Sequence, residues 1–304
     1  MRPSHREELP RFIQPMLATS APAPADERWA IEIKWDGMRA QLRVDGRTLS
    51  LRSRSGRACT SEFPELALVA EQLGDCQVIL DAELVCFGSD GKPDFAALRA
   101  RIGRREGHLA SAAHRGVVKL VAFDVLHLDG AAVRRLPYSR RRELLAELVV
   151  DGPALIVPRH FVKQREAVLS ITAEQGLEGV VAKRLDAPYA EGRRSRSWIK
   201  VKHRRRERLV VTGWRERDGE LPEFLLARVA DSGRLRPAGS ASLGLDAQRR
   251  AELLAHLIAR ELPPRTTRSH RARWAAPGVE VIVDAHGPPG GPVRDPIIRA
   301  FEIA

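Results

Sequence analysis

Residues 32–39 read EIKWDGMR. In the surrounding segment Trp29, Ile31, Ile33 and Trp35 alternate with Glu32, Lys34 and Asp36. A period of two predicts a β-strand over residues 28–44. Its apolar face would anchor the strand and leave Glu32, Lys34 and Asp36 aimed at something. Gly37 would end or bend it. Working outward, VDGR at 44–47 is a hairpin turn signal, and TLSLRSR returns as a second strand. SEFPELALVAEQL, residues 61–73, has helical spacing. QVILDAELVCF predicts another strand, on which Asp81 and Glu83 share a face with Ile79 and Val85. Acidic groups inside an apolar strand are costly unless paired or metal-bound.

The remaining elements follow the same two periods. PDFAALRARIGR and SRRRELLAELVV read as helices, and VKLVAFDVLHLDG, GVVAKR and SWIKVK as strands. On the last of these Trp198, Lys200 and Lys202 share a face opposite Ile199 and Val201, with Trp198 expected to pack. Residues 1–27 read as an irregular, Pro-rich lead-in. The texture changes after the basic run KHRRRER at 202–208. RLVVTGW, EFLLARVA, GRLRPAG and VEVIVDAHG are short strands, with one helix in LDAQRRAELLAHLIAREL. That pattern fits a small β-barrel such as an OB-fold. Two domains are therefore expected, residues 1–205 and 206–304, within an α+β class.

Length and composition bound what such a chain does. Its 304 residues are 43% apolar and 30% charged, an ordinary globular balance. No apolar run approaches the ~20 residues that span a bilayer. The first residues lack an apolar signal region, which predicts a cytoplasmic protein. Cys59, Cys76 and Cys86 are odd in number and lack metal-ligand spacing, so reduced thiols are expected. These features exclude a membrane protein, a disulfide scaffold and a zinc finger.

A formal charge of +12 favours a polyanionic partner, nucleic acid most simply, although Arg-rich codon usage produces the same excess. The lysines carry more information. Only seven of the 51 basic residues are Lys, and Lys34, Lys183, Lys200 and Lys202 fall in three short candidate segments. Arg cannot lose its proton, so a retained Lys marks a place where a neutral amine is of use. Glu178, between glycines in GLEGVVAKR, heads an apolar strand. Strand-borne lysines, carboxylates and arginines are the equipment for handling phosphates with a divalent cation. The sequence has no GxxxxGK[ST] loop and no strand-linked GxGxxG, and GPPGG at 287–291 reads as a turn. A nucleotide here would be held by side chains from strands.

In order, KWDGMR, LRSRSGR, LDAELV, AFDVLHLDG, EGVVAKR, SWIKVK and VRDPIIR resemble the motif set of ATP-dependent DNA ligases, with KWDG standing as the nucleotidylation motif. PMLA, GKPDFAALRARIGR and PYSRRRELL resemble the bacterial end-joining type, the ligase domain of ligase D and its stand-alone relatives. The resemblance runs from about residue 13 to the C-terminus. It implies an adenylation domain of ATP-grasp-like antiparallel sheets followed by an OB-fold domain. It implies that Lys34 attacks the α-phosphate of ATP and keeps AMP. Glu32 would hold the adenine and Phe123 would stack on it. Arg39 and Arg54 would contact ribose and phosphates. Glu83 would sit by ribose or metal, Glu178 would support the metal, and Lys200 and Lys202 would grip the α-phosphate. Arg294 would reach the pyrophosphate, with Arg299 a competing candidate. ATP and Mg²⁺ or Mn²⁺ are the implied cofactors and nicked double-stranded DNA the implied partner. A Ku-like end-binding protein or a repair polymerase is a candidate protein partner. The chain is expected to be a nucleoid-associated monomer. The alternatives are an RNA ligase or another covalent nucleotidyltransferase, and a non-catalytic nucleic-acid-binding relative.

Overall fold

The computed structural model describes residues 7–102, 116–216, 221–263, 272–287 and 290–303. The chain divides into two compact units, Met1–Val201 and Lys202–Ala304. The first carries β1 (Leu17–Ser20), β2 (Trp29–Ile33), β3 (Met38–Asp45), β4 (Thr48–Ser53), α1 (Leu68–Leu73), β5 (Gln77–Phe87) and α2 (Phe95–Arg101). It continues with β6 (Val117–Leu128), α3 (Tyr138–Leu148), β7 (Leu155–Ile156), β8 (His160–Val162), α4 (Arg165–Glu174), β9 (Gly179–Arg184) and β10 (Arg194–Lys202). The strands form two five-stranded sheets, ordered β1-β10-β9-β2-β8 and β4-β3-β5-β6-β7.

The alternation along β5 explains how this unit is layered. Val78, Leu80, Ala82, Leu84 and Cys86 enter a core shared with Leu42, Leu66, Leu98, Leu120 and Leu145. Ile79 on the opposite face joins Met16, Leu126, Tyr189 and Trp198. Asp81 and Glu83 follow Ile79 on that second face, so both carboxylates belong to the layer that also holds residues of β10.

The expected single strand over 28–44 is corrected to two. β2 pairs with β8 and β9, whereas β3 pairs with β4 and β5 in the other sheet. Lys34, Trp35, Asp36 and Gly37 form the connection between the sheets. Gly37 is required there, because a Cβ would lie 2.2 Å from the carbonyl oxygen of Leu84. Trp35 leaves the face of Ile31 and packs edge-on against Phe87, with ring centroids 5.8 Å apart. The helix expected over 61–73 is also corrected. It breaks into 3₁₀ turns at Thr60–Glu62 and Pro64–Ala67 before α1 begins. Pro64 sits where the chain restarts, and it cannot donate within a helix interior.

The lead-in is more ordered than its composition suggests. β1 pairs in parallel with β10. Gln41 makes two hydrogen bonds to the backbone of Ile13, at 2.8 and 2.9 Å. Arg141 and Asp124 form a fully buried pair at 2.7 Å that ties α3 to β6. The helix expected over PDFAALRARIGR is α2, and its Gly103 and Arg104 lie outside the described residues.

The second unit carries β11 (Arg205–Arg215), β12 (Glu223–Val229), β13 (Leu235–Ala241), α5 (Ala247–Ile258), β14 (Ala272–Trp274), β15 (Val279–His286) and β16 (Arg294–Ile303). Its sheet runs β13-β12-β11-β15-β16, with β14 beside β11. The two ends of that order meet. Val293 donates to the carbonyl of Ala238 at 2.8 Å, and Ile298 donates to that of Leu243 at 2.9 Å. The curled sheet encloses Trp214, Phe224, Val281 and Val283, and α5 contributes Leu253 and Leu257. Asp246 caps α5 by accepting from Arg249 N at 2.8 Å. Pro288 and Pro289 of the expected GPPGG turn lie outside the described residues. No helix among the described residues is long and apolar enough to cross a membrane.

Candidate active site

A cavity of about 600 Å³ opens in the first unit. Glu32, Lys34, Arg39, Arg54, Glu83, Phe123 and Lys200 all line it, together with Lys183, Arg194 and Trp198. Glu178 is joined to this set through Lys34, whose Nζ lies 2.6 Å from Glu178 Oε2. Lys34 is fixed in position by its backbone, which donates to the carbonyl of Gly179 at 2.9 Å. The nucleophile candidate thus sits on a short inter-sheet connection, with the head of β9 supplying both its backbone acceptor and its carboxylate neighbour.

Glu83 reaches the cavity from β5. Burial pushes its carboxyl up to about 8, and Lys34 and Arg39 oppose that shift while Glu178 adds to it. Arg54 leaves the end of β4 and is exposed at the rim. On β10 the alternation sends Trp198 and Lys200 to the cavity, while Ile199 and Val201 pack with Ile31 and Val180.

A second group of charges is sealed. Lys183 is 2% exposed and pairs with Glu32 at 2.8 Å. Its ammonium also donates to the carbonyl of Phe123 at 3.0 Å and lies 4.4 Å from the Phe123 ring centroid. Tyr138 donates its hydroxyl proton to the other Glu32 oxygen. Burial holds the Lys183 ammonium below the ordinary lysine range, with Glu32 opposing. The same burial and the Glu32 charge keep Tyr138 protonated well past its usual range. Glu32, expected on a strand face open to a ligand, is therefore held at both oxygens by the protein.

Arg39 is clamped in the same way. It meets Asp81 through two parallel hydrogen bonds of 2.9 and 2.6 Å. Burial works against its charge, but Asp81 more than compensates and keeps the guanidinium firmly charged.

Lys202 and Arg294 belong to the second unit. Lys202 pairs with Asp295 at 3.3 Å. Arg294 opens β16 opposite His286. Arg299 pairs with Asp284 at 2.8 Å, a carboxylate also met by Arg206 at 3.1 Å. The sequence marks Lys183 as a retained lysine and Asp81 as a strand carboxylate in need of a partner, without assigning either a role in the site, and it does not mark Tyr189. Lys183 had a signal in the sequence, a rare lysine inside the apolar strand GVVAKR. Tyr189 had none, because its partners lie at residues 16, 39 and 81.

The donor set fits a divalent metal. Mg²⁺ is commonly held by one or two carboxylates together with substrate phosphates. Among the described residues no cluster of three or more His, Cys, Asp or Glu side chains is suited to a metal. Glu83 and Glu178 are the carboxylates beside the nucleophile candidate, the residues that would hold such a cation, and its charge would relieve the cost of ionising Glu83.

A lysine on an inter-sheet connection beside a carboxylate, in a pocket lined by further cations, is the arrangement of a covalent nucleotidyltransferase. The family model for the ATP dependent DNA ligase domain matches residues 15–202, and the chain belongs to that family. Its relatives include the multifunctional non-homologous end joining DNA repair protein LigD of Mycobacterium tuberculosis, 37% identical over 259 residues, or 83% of this chain and 32% of that protein. A probable DNA ligase of Streptomyces griseus is 35% identical over 77% of this chain and 49% of its own length. The chain thus spans about a third to a half of the length of the curated relatives it matches. Among solved structures, the ligase domain of M. tuberculosis LigD matches with a TM-score of 0.57 and 31% identity, covering 95% of each chain. A mycobacterial DNA ligase D complexed with ATP and MES matches at 0.58 and 31%, covering 96% of this chain and 95% of that one.

Proposed function

We propose that this chain seals 5′-phosphate/3′-OH nicks in double-stranded DNA through a lysyl-AMP and then a DNA-adenylate. The observation that carries the reading is Lys34 held 2.6 Å from Glu178 in a cavity that also receives Glu83 and Lys200. In the first step the Lys34 amine bonds to the α-phosphorus of ATP as the bond to pyrophosphate breaks. The amine attacks in its neutral form, and Glu178 is within reach of the proton it gives up. Lys200 and Arg54 would neutralise charge on the phosphoryl oxygens. The nick 5′-phosphate then takes AMP from Lys34, and attack by the 3′-OH releases it.

Phe123, edge-on to Trp198, would stack on the adenine, and Glu32 would border the base. Arg39 would meet ribose or phosphate. Glu83 and Glu178 would hold Mg²⁺ or Mn²⁺, which when bound supplies Lewis-acid stabilisation of the phosphates.

The second unit supports an OB-fold reading. Its first three strands run in order, its helix precedes the last three, and β16 closes against the end of β13. On this reading the adenylation domain ends near residue 205 and the OB domain occupies 206–304. Lys202 would add to the grip on the α-phosphate, and Arg294 would reach the pyrophosphate. Arg299, which pairs with Asp284, is the competing arginine for that role. Nicked DNA is the proposed partner, with a Ku-like end-binding protein or a repair polymerase beside it, and the proposed setting is the cytoplasmic nucleoid as a monomer.

The test is incubation with labelled ATP and Mg²⁺ or Mn²⁺. A covalent AMP adduct on the wild type that Lys34→Ala lacks is expected. Labelling by GTP in place of ATP would move the reading to a capping-type transferase.

A further inference from the structure

Tyr189 lies on the turn between β9 and β10 and is 5% exposed. Its ring stands edge-on to Trp198, with centroids 5.6 Å apart, and its backbone N–H donates to the carbonyl of Arg134 at 2.9 Å. A phenolic hydroxyl offers one donor and two acceptor sites. All three are used here. It donates to Asp81 Oδ2 at 2.6 Å, and accepts from Arg39 Nη2 at 3.1 Å and from Met16 N at 3.0 Å. Burial and the Asp81 charge keep the phenol protonated, so the donor stays a donor.

The same count can be made for Arg39. A guanidinium has five N–H groups in a rigid fork. Nε and Nη2 meet the two Asp81 oxygens, Nη2 also meets Tyr189, and Nη1 meets the carbonyl of Met16 at 2.7 Å. Among the described residues four of the five donors are thereby engaged, and the fifth is on Nη1. Phe123 and Trp198 flank the fork, with ring centroids 5.6 and 5.5 Å from Arg39 Cζ.

We propose that Tyr189 is a positioning residue for Arg39. With Asp81 and the Met16 carbonyl it fixes the guanidinium so that a single N–H is left for an oxygen of the bound nucleotide. The proposal rests on the nucleotidyl-transfer reading above. An arginine free to swing would bind phosphate as a diffuse charge. One locked at four donors offers a directed hydrogen bond, and alignment of that kind acts on the reacting geometry more than on affinity.

The test is single-turnover self-adenylation of the full chain across a range of labelled ATP concentrations, for wild type and Tyr189→Phe. The variant removes one oxygen. The saturating rate is expected to fall about tenfold or more, while the ATP concentration at half-saturation moves by less than about threefold. In an Arg39→Lys background the same change should have no further effect on rate. A lowered melting temperature with a saturating rate within about twofold of wild type would mark a purely structural tyrosine and overturn the proposal. So would independent, multiplying losses in the double variant. Should Tyr189→Phe not fold, Asp81→Asn, which preserves shape at the clamp, takes the same measurement with the same criteria. Failure of the wild type to label at all would instead sink the nucleotidyl-transfer reading.

Discussion

Two lysine–glutamate pairs lie at the same cavity, the second reaching it through its lysine, and they are built differently. Lys183–Glu32 is closed off, with side chains 2% and 3% exposed, and is backed by the Tyr138 hydroxyl and the Phe123 carbonyl. Lys34–Glu178 is a little shorter, at 2.6 Å, but its side chains are 22% and 11% exposed. Distance alone would rank the second pair as the stronger. Solvation reverses the inference. A sealed pair cannot part without stranding a charge, so it behaves as framework. A pair that water reaches can part cheaply, and an amine that must leave its partner to form a bond belongs in such a setting. On the proposed reading, a mobile nucleophile and an immobile wall come from the same two residue types.

Replacement of the mobile lysine gives the largest effect. Lys34→Arg keeps charge and fold but removes the ionisable amine, and adenylation should drop below ~0.1% of wild type. The variant should still close a pre-adenylated nick, which a gel assay on adenylated DNA would read. Next is the wall. Lys183→Met leaves Glu32 buried without its cation, and urea denaturation should record a loss of about 3–5 kcal/mol. Combining it with Glu32→Gln should recover part of that loss; an unrecovered double variant would show that the wall is not a pair at all.

Smaller changes refine the contrast. Glu178→Gln should slow self-adenylation by about 10²-fold with a stability change under about 1 kcal/mol. If stability falls as far as in Lys183→Met, the two pairs do not differ in kind. Glu83 gives a pH signature. Its folded value, about 8, lies above the ordinary 4.5, so between those values the folded chain binds more protons than the unfolded one. Stability without metal should therefore decline as pH rises through that window, and Glu83→Gln should flatten the profile. A profile that rises there would contradict the burial of this carboxyl. The smallest effect belongs to Lys163–Glu27, a pair 63% and 68% exposed. Lys163→Ala should stay within about 0.5 kcal/mol.

Much of this contrast was readable in the sequence, though not all of it from the same kind of signal. The period-two patterns of β5, β6, β9 and β10 are set by burial on one or both faces, and they emerge directly from the residues. Glu83 stands out because an acid inside an apolar strand is costly, Lys34 and Lys200 because lysine is rare in this Arg-rich chain, and Glu178 because it sits between glycines at the head of an apolar strand. Gly37 signals an end or bend in the sequence, but not that the chain passes there into a second sheet, since alternation continues through the connection and the close carbonyl of Leu84 comes from a distant strand. The clamp on Arg39 was hidden for another reason. Its parts come from residues 16, 39, 81 and 189, and no local pattern reports a contact across such separations. The Pro-rich composition of the lead-in likewise obscured β1, whose order comes from its distant partner β10 and not from its own propensity.

The parallel pairing of β1 with β10 has a consequence in time. Thr19 donates to the carbonyl of Ser195, and Met16 to the hydroxyl of Tyr189, across 176 and 173 positions of chain. Nearly the whole first unit must be synthesised before its opening strand finds a neighbour. Chains leave the ribosome at about 5–20 residues per second, so the earliest segment waits roughly ten seconds or more for its mate. Long-range closure of this sort slows folding, because the entropy of a large loop is lost before its contacts form. It also sets an order of maturation. Lys34 emerges early, but Trp198 and Lys200 complete its cavity only when the last strand of the unit arrives, so a half-made chain carries the amine without the chamber that would put it to use.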